Sequence, residues 1–191
     1  MTDSRSLLAV KILEVNPRAY ESLVVTGEAF PAAREILETA RPEQLLSVPV
    51  KSPAFASALL AGLWLWNDGL EECHRIVQSP PDEKSTSTYA FWHAIMHRRE
   101  GDFSNSKYWY ARCTNHPALQ ILAAQAPTVV NPAPADKSLL RVTAAGWNPN
   151  AFVDLVESAS ENESDPRIRI AVQLQRLEWK ILWDHCLAAA I

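Results

Sequence analysis

Residues 91–113 read FWHAIMHRREGDFSNSKYWYARC, and the folding of this stretch decides the rest of the chain. It holds two histidines, three arginines, two acids and six aromatic side chains, with one glycine, Gly101, near its middle. No alternation of period two runs through it, so a half-buried strand is disfavoured. On a helix, His93, His97 and Glu100 stand at i, i+4 and i+7 and share one narrow face. Tyr89 and Met96 flank that face, with Trp92 and Ile95 farther round. Thr86 or Ser87 can cap the start, Gly101 ends the helix, and Asp102 or Ser104 can begin the next, SNSKYWYARC. The stretch predicts a helical hairpin with its aromatic residues packed inward.

Working outward, the same periodicity recurs. SRSLLAVKILE predicts a first helix capped by Ser4 or Ser6. PRAYESLVV and PAAREILETA each open on a proline that a first helical turn tolerates. Leu45 and Leu46 continue a short helical region, and Ser52-Pro53 starts an apolar helix over SPAFASALLAGLWLW. LEECHRIVQ is a short amphipathic helix that stops at the polar loop SPPDEKSTST. HPALQILAAQA follows the central hairpin, and a proline-rich internal loop is expected near 127–138. SLLRVTAAG, NPNAFVDLVESAS and a long helix from about Pro166 to Ala189 complete the chain. Only SLVVTG, at 22–27, has any strand-like alternation. The expectation is an all-α fold, one domain over 1–191 of packed helical hairpins, with roughly eight to ten helices.

Composition agrees. The chain has 191 residues, five glycines and seven tryptophans, which suits helix packing better than a fold of many tight turns. A net charge of −4 provides no general positive field for phosphates and argues against nucleic acid as a partner. Cys73, Cys113 and Cys186 are odd in number and widely spaced, as expected of buried thiols in a reducing compartment. No apolar run reaches the length of a membrane span, and Lys11 interrupts the N-terminal apolar stretch. A cytoplasmic location is expected.

An offset of 33 residues aligns LWNDGLEECHRIV with HRREGDFSNSKYWYARC, matching Leu70 with Phe103 and Cys73 with Ser106. GDFSNSKYWYARC resembles the second helix of a tetratricopeptide unit, although Cys73 and Ser106 stand where alanine is usual. That resemblance implies hairpin geometry in the middle of the chain, without the peptide groove. LEECHRIVQ, WHAIMHRREGDFSNSKYWYARC-x-x-HP, WNPNAFVDLVE and LQRLEWKILWDHC together resemble a family of bacterial and fungal proteins of no assigned activity. The likeness covers the chain from about Leu63 onward and implies one intact domain but no particular reaction.

Chemistry is most concentrated around the histidine stripe. Two imidazoles one turn apart can hold a divalent metal ion, with a third ligand from elsewhere. His74, which shares a face of the preceding helix with Glu71 and Gln78, can supply it. The candidate metal set is therefore His74, His93 and His97. The wider ligand-binding set adds Arg98, Arg99, Glu100, Asn105 and Trp109, with Arg98 or Arg99 fixing an anionic group of a small molecule. The protease pattern H-E-x-x-H is absent, because Ala94 stands at the position of its glutamate. No glycine-rich phosphate loop or Gly-x-Ser-x-Gly elbow is present.

Competing readings remain open at this level. The histidines can be core residues bonded to neighbours, with Glu71 and Arg75 as a solvated ion pair. Arg98, Arg99, Lys107 and Arg112 can pair with nearby acids and the backbone. A binding cleft can serve catalysis too, through a histidine base or a metal-bound water. The alternative function is a helical interaction module, binding a protein partner or a second copy through its many tryptophans.

Overall fold

The computed structural model describes residues 4–130 and 136–191, and among these every regular element is helical. In chain order they are α1 (Leu7–Glu14), α2 (Pro31–Leu37), a 3-10 turn at Pro42–Leu45, α3 (Pro53–Trp66), α4 (Leu70–Val77), α5 (Thr86–Glu100), α6 (Phe103–Tyr110), α7 (Pro117–Val130), α8 (Lys137–Thr143), α9 (Pro149–Ser160) and α10 (Ile168–Ala190). The all-α fold is as the periodicity predicts. No helix among the described residues is long and apolar enough to cross a membrane.

Helix boundaries follow local chemistry. Ser6, Asp102, Asp136 and Asn148 each accept a first-turn backbone N–H, satisfying donors that have no partner inside the helix. Proline opens α2, α3 and α9 at the first helical turn. Gly101 takes φ +88° and its N–H reaches back to the Arg98 carbonyl, ending α5 and turning the chain into α6. The central hairpin is therefore closed by two residues.

α5 is the axis of the fold, with every residue from Thr88 to Arg99 buried. α3, α4 and α6 pack around it, and α10 packs on α3, α7 and α9. One apolar cluster runs from Ala9 to Ala190. Gly62 permits the closest approach, since a Cβ there would stand 2.9 Å from the Trp92 ring and 3.2 Å from Trp183. The Gly62 carbonyl also accepts the Trp179 indole N–H at 2.9 Å.

Two segments differ from the sequence reading. PRAYESLVV is not a helix: Tyr20 takes φ +57° and the chain beyond it is irregular up to α2. Tertiary donors replace the helical ladder there, because Arg176 bonds the Ala19 carbonyl and Gln175 and Arg99 bond that of Ser22. Residues 22–27, SLVVTG, form no strand. The proline-rich loop expected near 127–138 begins later, because α7 continues through Pro127 to Val130 and α8 starts at Lys137. Residues 131–135 of that loop lie outside the described residues.

Candidate metal centre

α4 packs on α5, and this brings His74 against the two histidines one turn apart on α5. Ring centroids lie 4.8 Å apart for His74–His93, 5.4 Å for His74–His97 and 4.7 Å for His93–His97. One nitrogen from each of the three falls within 4.8 Å of the others. Tetrahedral zinc with Zn–N near 2.0–2.1 Å places its nitrogens about 3.3–3.4 Å apart, and the near-parallel stack of His93 and His97, 16° between planes, has to open for both lone pairs to meet one ion.

The three rings differ in their bonding. His97 is buried and directs Nδ1 to Glu100 Oε1 at 2.5 Å. A carboxylate only accepts, so Nδ1 carries the proton, and in the neutral ring Nε2 keeps a lone pair. The Asn105 amide nitrogen lies 3.0 Å from Nε2 and 3.5 Å from Nδ1, over the face of the ring. This carboxylate–imidazole pairing is the usual support of a metal-binding histidine.

His93 is also buried, yet neither ring nitrogen has a hydrogen-bond partner. Trp109 stacks on one face at 3.9 Å between centroids, and His97 stacks as well. Burial, then the neighbouring His97 and His74, push the His93 pKa down to about 3, so the ring is neutral and offers a lone pair. A buried polar group left unbonded costs about 1–3 kcal/mol. The core-histidine reading therefore accounts for His97 but not for His93.

The expected cleft is only partly formed by this stripe. A surface concavity of about 520 Å³ lies beside the cluster, with Glu28, Arg34, Asp68 and Glu71 in its walls. His74 and Glu100 reach it. His93 and His97 stand behind them in the interior.

Arg98 and Arg99 do not serve as anion anchors at this site. Arg98 is wholly buried, paired with Glu178 at 2.6 Å, bonded to the Tyr110 hydroxyl and stacked over Phe152. Arg99 bonds the Leu65 carbonyl at 2.8 Å and Asp68 at 2.9 Å, with its guanidinium over Tyr20. A guanidinium desolvated in the interior must be met by fixed acceptors, and the terminal nitrogens of both arginines are committed to theirs. Lys107 pairs with Asp154, and Arg112 bonds the Tyr108 carbonyl. Arg75 pairs with Glu72 rather than Glu71, and Glu72 also meets Arg34.

Glu178 was not among the candidates, because nothing in LQRLEWKILWDHC marks it as the partner of an arginine 80 residues earlier. Its place among the apolar residues of α10 is the one visible signal, since a lone acid on a buried face requires a cation. The remaining histidines form a separate pair, His116 and His185, with centroids 4.5 Å apart. Burial pushes the Cys113 thiol up to about 12, which leaves it unreactive beside His116. None of the seven tryptophans is exposed. Comparison of the chain with protein-family models, with curated proteins and with solved structures finds no match.

Proposed function

We propose that this protein binds a divalent transition-metal ion through His74, His93 and His97. The observation that carries this reading is His93, a buried neutral imidazole with both nitrogens unbonded and two further imidazoles beside it. Imidazole donors suit zinc, cobalt, nickel or copper, whereas calcium and magnesium require oxygen ligands. Glu100 orients His97, and Trp109 holds His93 in plane by stacking. Three protein ligands leave one position of a tetrahedral ion for another donor, the arrangement that a metal-bound water uses in hydrolysis.

The test is elemental analysis of protein purified without a histidine tag, followed by titration of chelator-stripped protein with zinc. One ion per chain is expected, lost on His93→Phe and His97→Ala. Absence of binding by the wild-type chain would reject the reading.

A further inference from the structure

Resting on the three-histidine reading, we propose that the Trp109 indole is the gate of the site. It holds His93 in a plane that shuts the ion out, and it swings aside when metal binds. The lone pair of an imidazole nitrogen lies in the plane of its ring. His93 and His97 are stacked with only 16° between their planes, so their lone pairs run side by side and do not meet at one ion. One of the two rings has to turn. His97 is fixed, with Nδ1 on Glu100 at 2.5 Å and the Asn105 amide over its face. Both nitrogens of His93 are unbonded, so no hydrogen bond opposes its rotation.

What opposes it is stacking. Trp109 lies 3.9 Å from His93 with 17° between planes, and His97 occupies the other face. A ring held between two parallel neighbours cannot tilt until one of them leaves. Helix α6 itself is tied down, because Ser106 donates to the Ala94 carbonyl at 2.8 Å and Tyr110 to Glu178 at 2.7 Å. The Trp109 side chain is free to move: it is half-buried and stands edge-on to the exposed Tyr108 ring. The closed stack is thus the metal-free form, and the apparent affinity for an ion is reduced by the fraction of molecules whose gate is open. With the ion bound the indole turns outward beside Tyr108, so occupancy of a buried site changes the surface of α6.

The probe is Zn²⁺ alone, titrated into the full, untagged, chelator-stripped chain in competition with a zinc-binding dye. Trp109→Ala is expected to bind about three- to tenfold more tightly than wild type, the equivalent of one aromatic stack. Trp109→Phe, which keeps a ring on His93, should stay within about twofold of wild type. In wild type labelled with fluorotryptophan, the fluorine resonance of Trp109, assigned by its loss in Trp109→Phe, should move on zinc addition to the position of a solvent-facing indole. If Trp109→Ala binds no more tightly than wild type, if Trp109→Phe matches Trp109→Ala, or if the resonance stays in place as zinc binds, the indole is no gate while the three histidines stand. If neither wild type nor Trp109→Ala takes up zinc, or His93→Phe takes it up equally well, the histidine site falls and the gate with it.

Discussion

Arg98 and Glu178 meet at 2.6 Å with neither side chain exposed, tying α5 to α10 through the core. The Tyr110 hydroxyl donates to Glu178 Oε1 at 2.7 Å and brings α6 into the same junction. Removing one partner leaves the other charge buried and unmatched. Glu178→Ala is therefore expected to cost about 3–5 kcal/mol, and replacing both residues by apolar ones, as in Arg98→Met with Glu178→Leu, should recover most of it. Denaturant unfolding measures both. A loss below about 1 kcal/mol for Glu178→Ala would mean that the charges are hydrated.

His93→Phe separates binding from stability. Phenylalanine keeps the stack on Trp109 and removes two buried nitrogens that bond nothing. The metal-free variant should be as stable as wild type or more so, by up to about 1–2 kcal/mol. Wild-type protein should gain about 2.7 kcal/mol at a zinc concentration one hundred times its dissociation constant, and the variant nothing. Thermal melts with and without zinc read both effects. A variant less stable than wild type without metal would show that the imidazole nitrogens have partners.

The second histidine pair predicts an acid-sensitive fold. His116 accepts the Ala118 N–H on Nδ1 at 3.1 Å and meets the Thr88 hydroxyl with Nε2 at 3.0 Å. The acceptor role fixes the proton on Nε2, and the ring faces His185 and the edge of Phe91. Burial, with His185 adding to it, pushes the His116 pKa from 6.5 down to about 3. Burial lowers His185 too. Between these limits the unfolded chain binds a proton that the folded ring refuses, so stability is full above pH 6.5 and falls as pH drops toward 3. At pH 5 His116 alone should cost up to about 2 kcal/mol relative to pH 7.5. His116→Asn, whose oxygen can still accept from Ala118, should remove that share of the change in melting temperature over the range, leaving the share that His93, also held down to about 3, contributes by the same linkage. An equally steep profile in the variant would place the titration elsewhere.

Gly62→Ala should destabilise by about 1–3 kcal/mol through overpacking against Trp92 and Trp183. Gly27 is the control, since nothing lies within 4 Å of a Cβ there, although its φ of +139° adds strain of its own. Melting temperatures of the two alanine variants test the packing argument. A Gly62→Ala protein that melts at the wild-type temperature would show that the two indoles yield freely.

The hairpin from Thr86 to Tyr110 was readable because its signals are local: capping groups, a glycine at the turn, and two histidines one turn apart. The convergence of His74 on that pair was readable for the same reason, since α4 and α5 are consecutive. The fate of Arg98 and Arg99 was not. Both lie on α5 next to His97, and only the position of α10 and of the segment around Ser22 turns them inward. PRAYESLVV has helical spacing in isolation, but its carbonyls are taken by side chains from α5 and α10. Long-range partners override propensity in each case.

The candidate metal ligands all fall between positions 74 and 97, on two successive helices, whereas Glu178 arrives from the far end of the chain. Contacts close in sequence form with little loop-closure entropy and tend to precede distant ones. An ion gripped by α4 and α5 would thus act on the folding rate, holding those two helices together before α10 docks. The Arg98–Glu178 junction would act on the opposite limb, governing how fast the finished molecule comes apart.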